Sequence, residues 1–375
     1  MSLRNSCTSR EGRTKHRWLS KWLLGAAAFV CLANCANALD PNRAMSQYIH
    51  DEWGAEQGFP GGPVYAIAQT PDGYLWMGTE KGLVRFDGLN FRLLEHSDST
   101  TLPIGPVLGL AVDAEGNLWV RPEGPRLLRY RDGKFQNVLL DLKAPEADVT
   151  AMCVGKYGEI LLSGLAIGTV RYSKGRFVTL APAAELPKLV ISVAETADGK
   201  VWMGTKDAGL YYLSDAHVHA VARGLPDRKI NFLLPTDRQG LWISTDNGVV
   251  HGNGSEFSQT GVSQALHHNQ ALVMARDRNS NVWVGTSNGL IRIDARGVST
   301  FQRGDNRPTD AVTALIEVQH LQERSMRETA TAMRISLAAA KGRLFHAKVA
   351  LRRSSILKLV HQPRSGGEFR VMSAA

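Results

Sequence analysis

The side chains with chemical potential in this sequence are turn carboxylates, closely spaced histidines and an isolated thiol. Asp72, Asp198 and Asp277 each stand in a turn bearing Gly or Asn. Oxygen ligands of this kind can hold a hard cation, but a calcium loop needs carboxylates at alternate positions, and these turns lack that density. A hairpin explains them instead, because Asp-Gly between apolar runs is a strong turn signal. His217 and His219 share one face of an alternating segment, yet no third ligand lies nearby, so they are read as exposed histidines. His251 lies in a turn-rich stretch and carries no assignment. His267 and His268 are adjacent, and a strand would turn them to opposite faces, which leaves them a loop role. Cys153, in VTAMCV, is read as a small core residue rather than a nucleophile. No Ser-His-Asp order, no carboxylate pair in contrasting settings and no phosphate-cradling Gly loop before a helix occurs. The sequence therefore offers no catalytic residue, no metal site and no cofactor motif. Any binding role depends on what the fold brings together.

That fold is announced by a repeat. GYLWMGTEKGLVRFDG surrounds Trp76, and GNLWVRPEGPRLLRYRDG surrounds Trp119. The pattern continues around Leu161, Trp202, Trp242 and Trp283, with anchors 40 to 43 residues apart. Within one period, VYAIAQ reads as a buried strand, Asp72-Gly73 as a hairpin and LWMGT as an alternating strand. Lys81-Gly82 gives a further turn, LVRFD a third strand and FRLLE a fourth. The turns at Lys81-Gly82, Asn247-Gly248 and Asn288-Gly289 call for positive φ. Four antiparallel strands in about 40 residues make one propeller blade. A solenoid is the competing architecture, but the stretch from 47 to 316 shows no capped helical period. The reading is an all-β propeller of four-stranded blades, six recognisable, with Trp76, Trp119, Trp202, Trp242 and Trp283 at equivalent places filling the gaps between blades.

YAIAQTPDGYLWMGTEKGLVRFDGLNF resembles the two-component regulator propeller repeat, and YIHDEWGAEQGFPGGPV is similar to the opening of bacterial sensors that carry it. The likeness covers roughly 47 to 316. It is most specific at Trp76, Trp202 and Trp283, weaker at Trp119 and Trp242, and weakest at Leu161. The resemblance implies the periplasmic sensing region of histidine kinases, hybrid kinases or diguanylate cyclases, with seven blades in an intact relative. A β-sandwich, a membrane span and an output domain would follow.

The chain divides into three parts. Residues 1–38 have a basic leader, an apolar run from Trp22 to Ala33 and Ala36-Asn37-Ala38, which read as a signal peptide cleaved after Ala38. That predicts a periplasmic location. Three of the four cysteines lie in this leader, so the mature chain has no disulfide. Residues 39–317 form the propeller, with the first strand of a seventh repeat at its end. Residues 318–375 form a basic, Ala-rich tail without Trp, read as helix-prone. The break after Glu317 is what a shifted frame or truncation produces, the alternative being an amphipathic basic helix for a membrane surface or a partner, and no span, kinase or cyclase motif follows. Six bases against one acid in 1–38 and eleven against three in 318–375 leave the propeller itself net acidic. The overall positive charge therefore argues nothing for nucleic acid.

Loops entering the first strand of each blade and turns joining its second and third strands fall on one face of a propeller. Binding groups concentrate on such loops. The candidate ligand residues are Glu80, Arg121, Asp207, Arg228, Lys229, Asp246, His268 and Asn288. Their mixed charge suits a small polar ligand, a saccharide or a peptide. The expected function is ligand sensing, in a chain without its membrane span or output domain. The alternatives are a secreted propeller lyase or lactonase and a protein-binding scaffold, since one fold hosts many chemistries. The chain itself is not read as an enzyme.

Overall fold

The computed structural model describes residues 48–55, 58–60, 62–88, 90–95, 102, 105–138, 147–186, 189–237, 240–253, 256–259, 266, 270–277, 279–300, 311–318, 356–362 and 369–374. The leader 1–38 and both His267 and His268 lie outside them.

Each repeat folds as an antiparallel sheet of four strands in sequence order. The first blade runs Val64–Gln69, Leu75–Thr79, Gly82–Phe86 and Phe91–Leu93. Five more follow over 107–137, 151–181, 190–220, 230–259 and 271–300. The all-β propeller expected from the period is what forms. Its first strands touch one another in ring order, and a further strand, Ala311–Val318, stands between the first strands of blades six and one.

Every repeat anchor is the second residue of its blade's second strand. The first strand supplies a small neighbour to most of them. Ala68 faces Trp76, Ala111 faces Trp119, Ala194 faces Trp202 and Ala275 faces Trp283. Those four indoles are 0–1% exposed. They fill the space between blades: Trp76 meets Tyr130 of blade two at 5.1 Å, and Trp119 meets Tyr172 of blade three at 4.7 Å. Trp242 faces the bulkier Leu234, is only half-buried, and lies 4.5 Å from His251 of its own blade.

The Gly of W-x-G-T has a separate task. A Cβ on Gly78 would stand 2.6 Å from the Val107 carbonyl, so only glycine lets the next blade's first strand approach so closely. The same holds at Gly285, where a Cβ would stand 2.8 Å from the Val312 carbonyl and 2.6 Å from Val312 Cγ1. The strand Ala311–Val318 therefore seats against blade six as one blade seats against another. Thr313 Oγ1 donates to the Val64 carbonyl at 2.5 Å, and Ala314 packs with Val64, Ile67 and Met77 of blade one. The inner ring is closed.

The tail departs from expectation. Its described residues are strand, not helix. Ile356–Gln362 pairs antiparallel with Ala311–Val318, and Phe369–Ala374 pairs antiparallel with Tyr48–Trp53. The Ala-rich composition of the whole tail obscured two short runs, ILKLVHQ and FRVMSA, whose β-branched content and alternation suit strands. Residues 47–53, QYIHDEW, alternate as the N-terminal strand that closes many propellers does, and Tyr48–Trp53 does lie beside chain from beyond 310. No described helix is long and apolar enough to cross a membrane.

Candidate ligand-binding face of the ring

In blades one, two, four and six a backbone hydrogen bond ties the loop entering the first strand to the turn after the second. Glu80 N donates to Pro63 O (3.0 Å), Glu123 N to Pro106 O (2.8 Å), Lys206 N to Leu189 O (3.0 Å) and Ser287 N to Gln270 O (2.9 Å). Both loop sets therefore share one face. The Thr of W-x-G-T closes the turn: Thr79 Oγ1 donates to Gly82 O at 2.9 Å and accepts from Lys81 N at 3.2 Å. Thr245 and Thr286 repeat this, and the glycines at 82, 248 and 289 have φ of 126°, 134° and 105°.

The face brings some expected residues together and leaves others apart. Lys229 Nζ reaches Asp246 Oδ2 at 3.1 Å, and Asn231 Nδ2 donates to the other oxygen of Asp246 at 2.8 Å. Asn231 went unnoticed in the sequence, yet it also donates to Ala271 O of blade six at 2.8 Å. Arg121 is half-buried at the junction of blades two and three. Glu80 is exposed, and with Glu123 it adds to the burial that raises the Tyr65 phenol above its ordinary pKa. Asp207, Arg228 and Asn288 are exposed turn residues on the same face. His268 lies outside the described residues.

Asn231 belongs to a second series that sequence reading passed over. In each inner strand a buried residue is followed by a half-buried one: Val64-Tyr65, Val107-Leu108, Val190-Ile191, Ile230-Asn231, Ala271-Leu272 and Val312-Thr313. A β-bulge falls at each. In blade three Val149-Thr150 holds the same place just ahead of the strand. Where that second residue is Thr or Asn, it bonds the next blade: Thr150 Oγ1 donates to Val190 O at 2.6 Å, as Asn231 does to Ala271 and Thr313 to Val64. Their spacing of about 40 is the signal that could have revealed them.

The opposite face has its carboxylates occupied. Asp113 Oδ2 accepts the Trp119 indole N–H at 2.8 Å, and Asp277 Oδ2 accepts that of Trp283 at 2.9 Å. Trp76 and Trp202 donate to Thr70 and Thr196, whose hydroxyls donate to Asp72 and Asp198 at 2.5 and 2.6 Å. The turn aspartates thus orient indoles and close hairpins, as hairpin geometry predicts. Blade three, lacking Trp, substitutes an ion pair. Arg171 Nη2 meets the nearly buried Glu195 of blade four at 2.7 Å. Beside them burial raises the Cys153 thiol to about 12, which keeps it protonated. His217 and His219 are exposed on an outermost strand, and His219 stacks on Tyr212. Among the described residues no three His, Cys, Asp or Glu side chains converge as metal ligands.

Comparison with known proteins agrees with this architecture. Residues 58–81 match the two component regulator propeller family. The extracellular domain assigned to a hybrid two component system of B. thetaiotaomicron superposes over 88% of this chain, with TM-score 0.66 and 18% identity. A second such domain from that organism covers 87% of the chain, with TM-score 0.60 and 18% identity. The chain spans 42% and 39% of the two domains. Virginiamycin B lyase from Staphylococcus aureus superposes over 68% of this chain and 89% of its own length, with TM-score 0.53 and 12% identity. No curated protein matches by sequence. The chain thus carries the two component regulator propeller repeat on a fold shared with extracellular domains of hybrid two component systems.

Proposed function

We propose that the chain is the extracytoplasmic ligand-sensing propeller of a two-component or diguanylate cyclase receptor, exported by residues 1–38. The observation that carries this reading is the repeat match at 58–81, set in a closed ring whose one face gathers polar groups of both signs. Transmission belongs to a membrane span and an output domain outside the described residues. The ligand is a small polar molecule, a saccharide or a peptide, held by the loop face around Lys229, Asn231 and Asp246. Nucleic acid is not a partner, because the propeller is net acidic. Binding without turnover separates this from the lyase reading.

A thermal-shift screen of the full chain against neutral and acidic sugars, oligosaccharides and short peptides tests the reading. A ligand at a hundred times its Kd stabilises by about 2.7 kcal/mol, a readily visible shift. A hit that is recovered chemically unchanged supports sensing. Conversion of the hit to product supports the enzyme reading instead, and a screen without any shift removes the small-molecule ligand.

A further inference from the structure

Arg121 occupies the place where the repeat puts Gly78, Gly204 and Gly285, or Ser163 and Ser244. Small residues are needed there because the next blade's first strand presses in, 2.6 Å from a Cβ on Gly78. Blade two makes room for a guanidinium with Gly109, directly opposite in register, where a Cβ would meet Arg121 Nε at 2.9 Å. The guanidinium spans two inner strands. Nη2 donates to Leu108 O at 3.1 Å, and Nη1 to Val149 O of blade three at 3.3 Å. Nε is buried without a partner.

These bonds do not explain the charge. Thr150, Asn231 and Thr313 join neighbouring blades through a neutral donor, so a threonine or asparagine would serve at the junction of blades two and three. The other enclosed guanidinia have either a carboxylate or an aromatic face: Arg292 has Asp294 at 2.9 Å and Arg171 has Glu195 at 2.7 Å, while Arg85 and Arg129 lie over Tyr74 and Trp119. Arg121 has no carboxylate within ion-pair distance among the described residues. Burial lowers its pKa, while exposed Asp148 acts on it through space and favours the charge. A partly desolvated guanidinium held by two carbonyls has donors left over, and its planar fork matches a carboxylate.

We propose that Arg121 is the anchor for a ligand carboxylate at the loop face of the ring, which makes the sensed molecule an acid. The proposal rests on the sensing reading above and narrows its ligand class. The carboxylate can come from a uronic sugar or from an acidic peptide, and the same guanidinium recognises both.

The test is calorimetric titration of the full chain with four probes: trigalacturonate, its neutral counterpart galactotriose, triaspartate and triglycine. One acidic probe is expected to bind, with its neutral counterpart weaker by about tenfold to a hundredfold, the range for a charge-assisted hydrogen bond. The acidic probe that binds identifies the source. Arg121→Ser, which installs the residue of blades three and five, is expected to lose that preference while still folding, with a melting temperature lowered by the loss of the bonds to Leu108 O and Val149 O. Arg121→Lys keeps the charge without the fork and is expected to fall between. Equal binding of acidic and neutral probes, undiminished acid binding by Arg121→Ser, or no binding by either acid overturns the proposal. A neutral probe that still binds leaves the sensing reading standing, so the two failures are distinguishable.

Discussion

At the residue scale, two tryptophans that look alike in sequence do different work. Trp202 is 1% exposed, donates its indole N–H to Thr196 at 3.0 Å and packs against Phe257 of blade five. Trp202→Ala is expected to destabilise by about 3–5 kcal/mol in urea unfolding. Trp242→Ala is expected to cost distinctly less, because that ring is half-buried. Equal losses would contradict the assignment of Trp202 as a gap-filling anchor. His251, beside Trp242, adds a pH dependence. Burial lowers its pKa below the ordinary 6.5. Its contribution is therefore fully present above 6.5. As pH falls below that, the unfolded chain takes up a proton that the native state refuses, and stability declines. His251→Phe keeps a ring against Trp242 and is expected to flatten the fall in stability below pH 6.5. The anchors were legible because Trp is rare and regularly spaced. The ion pair that replaces one of them was not, because Arg171 repeats Arg85, Arg129 and Arg292, which face tryptophans, whereas Glu195 comes from the next blade and has no counterpart.

At the element scale, the junctions between blades carry the order of the ring. Gly285→Ala places a methyl 2.6 Å from Val312 Cγ1, against a strand that cannot retreat without opening the inner ring. The expected loss is about 1–3 kcal/mol, the range for overpacking. Thr313→Val removes the hydroxyl that reaches Val64, and Thr150→Val removes its counterpart between blades three and four. Each is expected to cost about 1 kcal/mol by chemical denaturation. If Thr313→Val costs nothing while Thr150→Val does, the strand Ala311–Val318 is not part of the ring. Six blades were readable because each closes its own sheet within about 40 residues, so turns, strands and anchors are all local. The loop face was readable too, since strand order alone decides which loops share an end. The bulge residues were missed because the eye follows Trp, whereas their own mark is a buried aliphatic residue followed by a variable one.

At the scale of the whole molecule, closure depends on segments distant in sequence. Tyr48 pairs with Ala374 and Trp53 with Phe369, while Thr313 bonds Val64 from 249 residues away. The alternation of Tyr48–Trp53 marks one partner, but nothing local names the strand it takes, which is why the tail strands escaped a reading by composition. Removing 369–375 is expected to lower the melting temperature and to increase light scattering on heating, since it bares the edge of Tyr48–Trp53. An unchanged melt would show that the inner ring suffices. Closure also sets a clock on biosynthesis. Blade one offers Val64, Ile67 and Met77 to Ala314, and that apolar surface has no cover until the ribosome has passed it. At about 5–20 residues per second, blade one waits on the order of ten seconds or more after its own synthesis. During that interval a bare sheet face invites a chaperone or a neighbouring nascent chain, and the long sequence separation of the final contacts makes the last step of folding the slow one.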